Sequence, residues 1–322
     1  MKSAWLIAAL VTAAAKGQSG TTNVPVPVIF APGIISGPSN DGSPTFSPSG
    51  QTLLFERSYA AFTVIFEAHR IKGGHWSRPA PAVFSGPSAD QQPSFSPDGS
   101  YLIYASIRLI SGGDGKSTQS HLYRVDRTTA GWGTPKELPA TVNFARRMFK
   151  PSVARNGDLY VMADDGPPGT PPKWRLYRVP KTADGYEKAE ILPFTGGPTG
   201  DVDPCVAPDQ SYLIFSSRDR AKTTPHGPSD DGHEHLYFVR RRGPSWGPIE
   251  ALRYEGDNWG ADDGEAQFAP DGKTLYFTSG RSEPVNRTWT RARMLARLSD
   301  MEKWDNSNSN VWALPLEHYF PR

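Results

Sequence analysis

One cysteine, Cys205, stands in 322 residues, so no internal disulfide staples this chain in any compartment. An excess of one charge is also lacking. Lys and Arg number 35 against 33 Asp and Glu, a formal charge of +2, which excludes a nucleic-acid binder driven by phosphate contacts. Long apolar runs are missing: the stretch 4–15, about 12 residues, is too short to span a bilayer. Two catalytic signatures are absent as well. There is no Gly-x-Ser-x-Gly elbow for a serine hydrolase and no His-Glu-x-x-His for a zinc enzyme.

The short apolar run follows Lys2 and ends in Ala13-Ala14-Ala15, the layout of a secretory signal peptide. The expectation is a signal over 1–15, a linker over 16–23 and a periplasmic or secreted mature chain with no membrane span. No cysteine follows the run to carry a lipid. Gly and Pro at 31 each, with 11% aromatic residues, suit many short strands joined by tight turns.

Those strands come in copies. Phe95-Ser96-Pro97-Asp98-Gly99 leads into Tyr101-Leu102-Ile103-Tyr104, and related stretches begin at Phe46, Val153, Val206 and Phe268, spaced by 49, 58, 53 and 62 residues. A period near 50 residues is the signature of a propeller or solenoid. Within a copy, Pro presets φ for the turn, Asp bonds the local backbone and Gly closes it, so two apolar strands pair as a hairpin. A third strand carries a Leu-Tyr centre, as at Leu122-Tyr123, Leu176-Tyr177 and Leu236-Tyr237. A fourth follows Trp76, Trp132, Tyr186 or Trp246. The fifth copy has no fourth strand of its own. The segment 24–30 has the character of 78–84 and is expected to supply it. The predicted fold is all-β: a five-bladed β-propeller over 24–322, closed by an N-terminal strand, with a helical insertion at 288–302 in the last blade. The apolar stripe of that helix is expected to pack on the propeller.

The Phe-Ser-Pro-Asp-Gly-x-x-Leu core and the later Leu-Tyr strand resemble TolB-type β-propeller repeats, relatives of the WD-type repeat, over about 24–316. The resemblance implies the propeller fold. TolB itself implies a periplasmic adaptor with a six-bladed propeller behind an α/β domain.

The repeat also places charge. At the start of strand one stand Asp41, Asp90, Asp201 and Asp263; at the end of strand two stand Arg57, Arg108, Arg218 and Arg281. The third copy exchanges the signs, with Arg146 and Arg147 facing Asp164. Four acid–arginine sets on one face read as pairs that pin neighbouring loops; the competing reading is a ligand or calcium ring. The long loops 108–120, 164–173, 218–232 and 281–309 share that face, where binding is expected. Binding-face candidates are therefore Asp41, Asp90, Arg108, Asp201, Asp203, Arg218, Asp262, Asp263, Glu265, Arg281 and Trp289. His226, Asp230, Asp231 and His233, with neighbouring Glu234, resemble metal ligands only weakly, and no cofactor is expected.

Two functions fit. One is an exported binding or adaptor propeller that engages a protein or an envelope glycan through its loop-rich face. The other is a hydrolase or lyase acting on a carbohydrate or lactone with carboxylates at the channel mouth. Carboxylates neutralised by arginine favour the first, and unpaired ones in an open pocket favour the second.

Overall fold

A computed structural model describes residues 24–59, 62–86, 88–107, 119–164, 166–167, 169–196, 200–222, 231–257, 260–282 and 288–320. The expected signal peptide and linker, Arg108, His226 and Asp230 lie outside these residues. The fold is a five-bladed β-propeller. In blade I the four strands are Asn40–Phe46, Thr52–Tyr59, Phe62–His69 and Ala80–Pro81. Blade II opens with Gln91–Phe95, Tyr101–Ser106 and His121–Thr128. Blade III runs through Arg147–Val153, Leu159–Asp164 and Trp174–Val179 to Glu190–Ile191. Blade IV runs through Asp201–Val206, Tyr212–Ser217 and His235–Arg242 to Ser245–Ala251. Asp263–Phe268, Thr274–Ser279 and Asn310–Pro315 make three strands of blade V.

The fourth strand of blade V is Val28–Ile29, antiparallel to Asn310–Pro315 with Val28 opposite Ala313 and Ile29 opposite Trp312. The closure expected from the sequence is therefore the one the fold uses. Ser309 and the first strand of blade I lock the seam, since Ser309 N–H donates to Asn40 Oδ1 and Asp41 N–H donates to the Ser309 carbonyl.

The core lies between blades rather than within one. Five apolar clusters each join the strands of two neighbouring blades. Aromatic residues fill the wedge: Trp132 meets Phe84 at 5.4 Å and Phe95 at 5.8 Å, and Trp246 meets Phe194 at 5.5 Å. Burying each large side chain contributes ~1.5–3 kcal/mol, so the blades hold one another.

The helix runs Arg291–Met301, shorter than expected, because Thr290 caps it through the Arg293 N–H. Its apolar stripe does not pack as predicted. Met294, Leu295, Leu298 and Met301 are 42–50% exposed. Arg297, on another side, anchors the helix through Asp305. Helical periodicity identifies a stripe without saying which side meets the body.

Candidate functional site

Every innermost strand carries the same defect. The ladder between strands one and two slips at Gly42/Thr45, Gln91/Ser94, Phe149/Ser152, Val202/Cys205 and Gly264/Gln267. Inside each slip one residue has positive φ: Ser43 at 46°, Gln92 at 53°, Lys150 at 44°, Asp203 at 54° and Glu265 at 52°. Such a conformation costs ~1–3 kcal/mol for a non-glycine residue. A bulge re-aims its side chain, and it leaves the following residue outside the ladder, where proline is tolerated. Pro44, Pro93, Pro151 and Pro204 occupy that next position.

The five residues form a hydrogen-bonded ring across the channel. Glu265 N–H donates to Asp203 Oδ2 at 3.0 Å, and Ser43 N–H donates to Glu265 Oε2 at 3.0 Å. Gln92 bridges two members: its Nε2 donates to Glu265 Oε1 at 3.1 Å, and its Oε1 accepts from Lys150 N–H at 2.8 Å. Lys150, 1% exposed, extends its ammonium to the Glu265 carbonyl oxygen at 3.2 Å. Strand two adds Glu56, whose Oε2 accepts Gln92 N–H at 2.8 Å, and Thr278, whose hydroxyl donates to Glu265 Oε2 at 2.8 Å. Glycine is needed beside the ring. A Cβ on Gly42 would stand 2.7 Å from Glu265 Oε2, and one on Gly264 would stand 2.7 Å from Asp203 Oδ2.

On the loop-rich side the ring opens into two cavities. One, of about 310 Å³, is lined by Glu56, Asp203, Glu234, Asp262, Glu265 and Thr278, among others. The second, of about 520 Å³, shares Asp203 and Glu234 and adds Trp174, Met162, Pro171 and Arg218. Burial, with the Glu265 charge next in weight, pushes the Asp203 carboxyl up to about 7. Burial and the charges of Asp203 and Asp262 push Glu234 up to about 8. Burial and Glu265 also hold Glu56 well above the usual carboxylate range. Near neutral pH Glu234 is therefore largely protonated and Asp203 partly so.

The acids predicted from the repeat are mostly held in pairs, and one of them, Asp41, also lines the smaller cavity. Arg57 meets Asp41 at 2.5 Å, Arg281 meets Asp263 at 2.8 Å, and Arg146 and Arg147 meet Asp164 at 3.0 and 2.8 Å. These arginines pin loops: Arg281 also reaches the Glu255 carbonyl, and Arg57 the Ile35 carbonyl. Asp90 accepts the Gly86 N–H. One expected pair is corrected. Asp201 is held by Arg220 at 2.6 Å, because a 3-10 turn at Asp219–Lys222 brings Arg220 back over the strand end. Arg218 instead faces the mouth, 3.2 Å from Asp262 and 3.8 Å from Glu234.

Of the named candidates, Asp41, Asp203, Glu265, Asp262 and Arg218 thus line the cavities at the mouth. Trp289 sits before the helix under the Arg293 guanidinium. Asp231 bonds His235 and the His233 N–H, and His233 lies 3.4 Å from Asp262. Among the described residues no three of His, Cys, Asp and Glu converge to hold a metal ion. The sequence reading missed Glu56, Gln92, Lys150 and Trp174. The proline that follows four of the five ring positions would have pointed to Gln92 and Lys150. The hairpin face carries a concavity of about 430 Å³ around Phe46, Phe95 and Phe268.

No protein-family model and no curated protein sequence matches the chain. Among solved structures it is similar to the α-L-arabinofuranosidase from Lactobacillus brevis, with 12% identity and a TM-score of 0.52 over 89% of this chain and 92% of that one. A putative TolB from Agrobacterium tumefaciens is similar over 88% of this chain and 92% of its own, with 14% identity and a TM-score of 0.49. TolB from Acinetobacter baumannii gives 14% identity and a TM-score of 0.48 over 86% of this chain, which spans 54% of that protein. TolB proteins and a propeller glycosidase thus stand together among the structures this chain is similar to, and the likeness is one of fold.

Proposed function

We propose that this chain is an exported, periplasmic binding propeller that takes a glycan component of the envelope in the loop-side mouth of its channel. The observation that carries this reading is the pair of adjoining cavities that share Asp203 and Glu234. Their size admits a sugar unit or a single side chain. One wall offers Trp174, Met162 and Pro171 to the apolar face of a ring, while the floor offers carboxylates and hydroxyls to its polar edge. A concave site with an apolar wall and a few convergent polar groups is the usual form of a small-ligand site. Calorimetric titration of the mature chain with soluble envelope oligosaccharides tests this. Binding that is lost in Trp174→Ala, with the melting transition retained, supports it; binding indifferent to both Trp174→Ala and Asp203→Asn refutes it.

A second reading, hydrolysis or elimination at the same site, is favoured by one observation. Burial raises the Glu234 carboxyl to about 8 and the Asp203 carboxyl to about 7, and both line the two adjoining cavities. A carboxyl group that keeps its proton near neutral pH can serve as the general acid in cleavage of a sugar linkage. Mass spectrometry of the oligosaccharide after prolonged incubation decides: cleavage lost in Glu234→Gln establishes the enzyme, and an unchanged ligand leaves binding alone.

A further inference from the structure

We infer that the helix Arg291–Met301 is a pairing surface for a second copy of this chain, with the two helices antiparallel across a two-fold axis.

The helix meets its own propeller on one side only. Arg293, Arg297 and Asp300 line a cavity of about 280 Å³ together with Trp304 and Trp312. Arg297 there holds Asp305 and the Ser282 hydroxyl. Thr290 caps the first turn, and Trp304 packs on Trp312 of blade V at 5.8 Å, which ties the last turn to the blade. No residue of the helix is buried. Met294, Leu295, Leu298 and Met301 stand about half exposed on a side that the propeller does not cover. Apolar side chains held outward together on an anchored helix mark a contact that the single chain does not make.

The ends of the stripe say what covers it. Arg291 precedes Met294 by three residues and Glu302 follows Leu298 by four, so both fall on the apolar face. Both are exposed, and among the described residues neither side chain has a partner. The stripe therefore runs from a cation through apolar groups to an anion. A surface of that form complements itself when one copy is turned end for end. Arg291 and Glu302 lie equally far from the middle of the helix, and so do Leu295 and Leu298. In an antiparallel pair Arg291 meets the partner's Glu302, Glu302 meets the partner's Arg291, and the leucines cross at the centre. Each contact is made twice, as an isologous interface requires. The opposed helix dipoles add to the attraction.

A lipid surface fits less well. Helices that lie on anionic bilayers set Lys and Arg on a polar face above an apolar one. Here an acid, Glu302, stands in the apolar face, while Arg293 and Arg297 are turned to the propeller. Contact through two helices of 11 residues is small. It falls short of the ~1,200–2,000 Å² of a stable standard interface, so the dimer is weak and depends on concentration.

Sedimentation velocity of the purified chain from about 1 μM to about 1 mM tests this. The expected result is a monomer at the low end and a reversible dimer at the high end. Leu298→Asp should weaken dimerisation at least about tenfold, with the melting transition unchanged because the site is exposed. Arg291→Glu and Glu302→Arg should each weaken it about threefold to tenfold, by setting like charges opposite at both ends. Both changes favour the helix itself, an acid in its first turn and a base at its end, so a lost dimer is not a lost helix. Mixing the two variants should restore dimers, since each supplies the charge the other lacks. The doubly swapped chain, Arg291→Glu with Glu302→Arg, should dimerise as the parent does. A monomer at every concentration overturns the inference, as does a dimer indifferent to Leu298→Asp and to the charge changes. Flotation with phosphatidylglycerol vesicles that is lost in Leu298→Asp, with no dimer in solution, overturns it and assigns the stripe to a lipid surface.

Discussion

Arg281→Met should be among the most destabilising single changes available on the loop-rich face. The Arg281 and Asp263 side chains are each 2% exposed and meet at 2.8 Å. Arg281 donates further to Ser279 Oγ and to the Glu255 carbonyl. Its guanidinium lies 4.9 Å from the Tyr254 ring centre, 5.0 Å from Phe277 and 5.5 Å from Trp312. Methionine fills that slot without charge and leaves Asp263 with only the Tyr254 hydroxyl at 2.7 Å. Removing one partner of a buried pair costs ~3–5 kcal/mol, chiefly because the other charge is left stranded. At about 2 °C per kcal/mol for a chain of this size, the melting temperature should fall by about 6–10 °C. Arg218→Met is the matched control. Its pair with Asp262 is exposed at 42% and 53%, and such pairs contribute at most ~1 kcal/mol. Adding Asp263→Asn to Arg281→Met should recover about half the loss, since the stranded charge goes while an acceptor for Tyr254 remains. Differential scanning calorimetry of the four proteins reads all of this. Equal losses in Arg281→Met and Arg218→Met, or a double variant worse than the single, would refute the stranded-charge reasoning.

Other outcomes follow from the same geometry. Asp203, Glu56 and Glu234 all have folded-state pKa values raised above their unfolded ones, so the native state binds more protons and stability falls as pH rises from about 4 to 7. Melting curves should show that decline, and Asp203→Asn should flatten it; a stability that climbs over this window contradicts the assignment. Gly42→Ala pushes a methyl toward Glu265 Oε2 and Thr278 Oγ1, which lie 2.7 and 2.8 Å from the new Cβ. It should weaken ligand binding while costing no more than ~2 kcal/mol of stability; unchanged affinity by titration would mean that the ring position is not critical. Removing residues 16–32 deletes the strand Val28–Ile29 and bares the edge of Asn310–Pro315. Light scattering should then report association, and a monodisperse monomer would count against the seam as a protected edge.

The fold was legible because its determinants are local and repeated. Pro-Asp-Gly turns set each hairpin, the Trp or Tyr after strand three marks the wedge between blades, and the matching segments 24–30 and 78–84 reveal which strand closes the ring. The ion pairs were legible where strand register alone sets them, as between Asp41 and Arg57, which are direct ladder partners. They slipped by two residues at Asp201, where the chain leaves the ladder in a 3-10 turn and Arg220 overtakes Arg218. The exposed helix stripe was misplaced for a related reason: periodicity constrains a face and not its neighbour.

The inner ring was hardest to see, and its chemistry explains why. Ser43, Gln92, Lys150, Asp203 and Glu265 share a position and polarity but no single residue type, so aligning the copies yields no motif there. Their common property is conformational, a positive φ inside a bulge, and it shows in the sequence only through the proline that follows four of them. Proline in an innermost strand is costly unless the ladder is already interrupted. A Pro repeated in phase on such strands therefore marks a bulge, and the residue before it is the one turned into the channel. In this propeller the variable residue, followed by proline in four copies, takes the bulged position on the channel, while the aspartate two residues earlier, also present in four copies, holds the scaffold. Here that residue is serine, glutamine, lysine, aspartate and glutamate in turn around the ring. Four kinds of polar group over five blades make the channel unequal around a frame that is otherwise repeated.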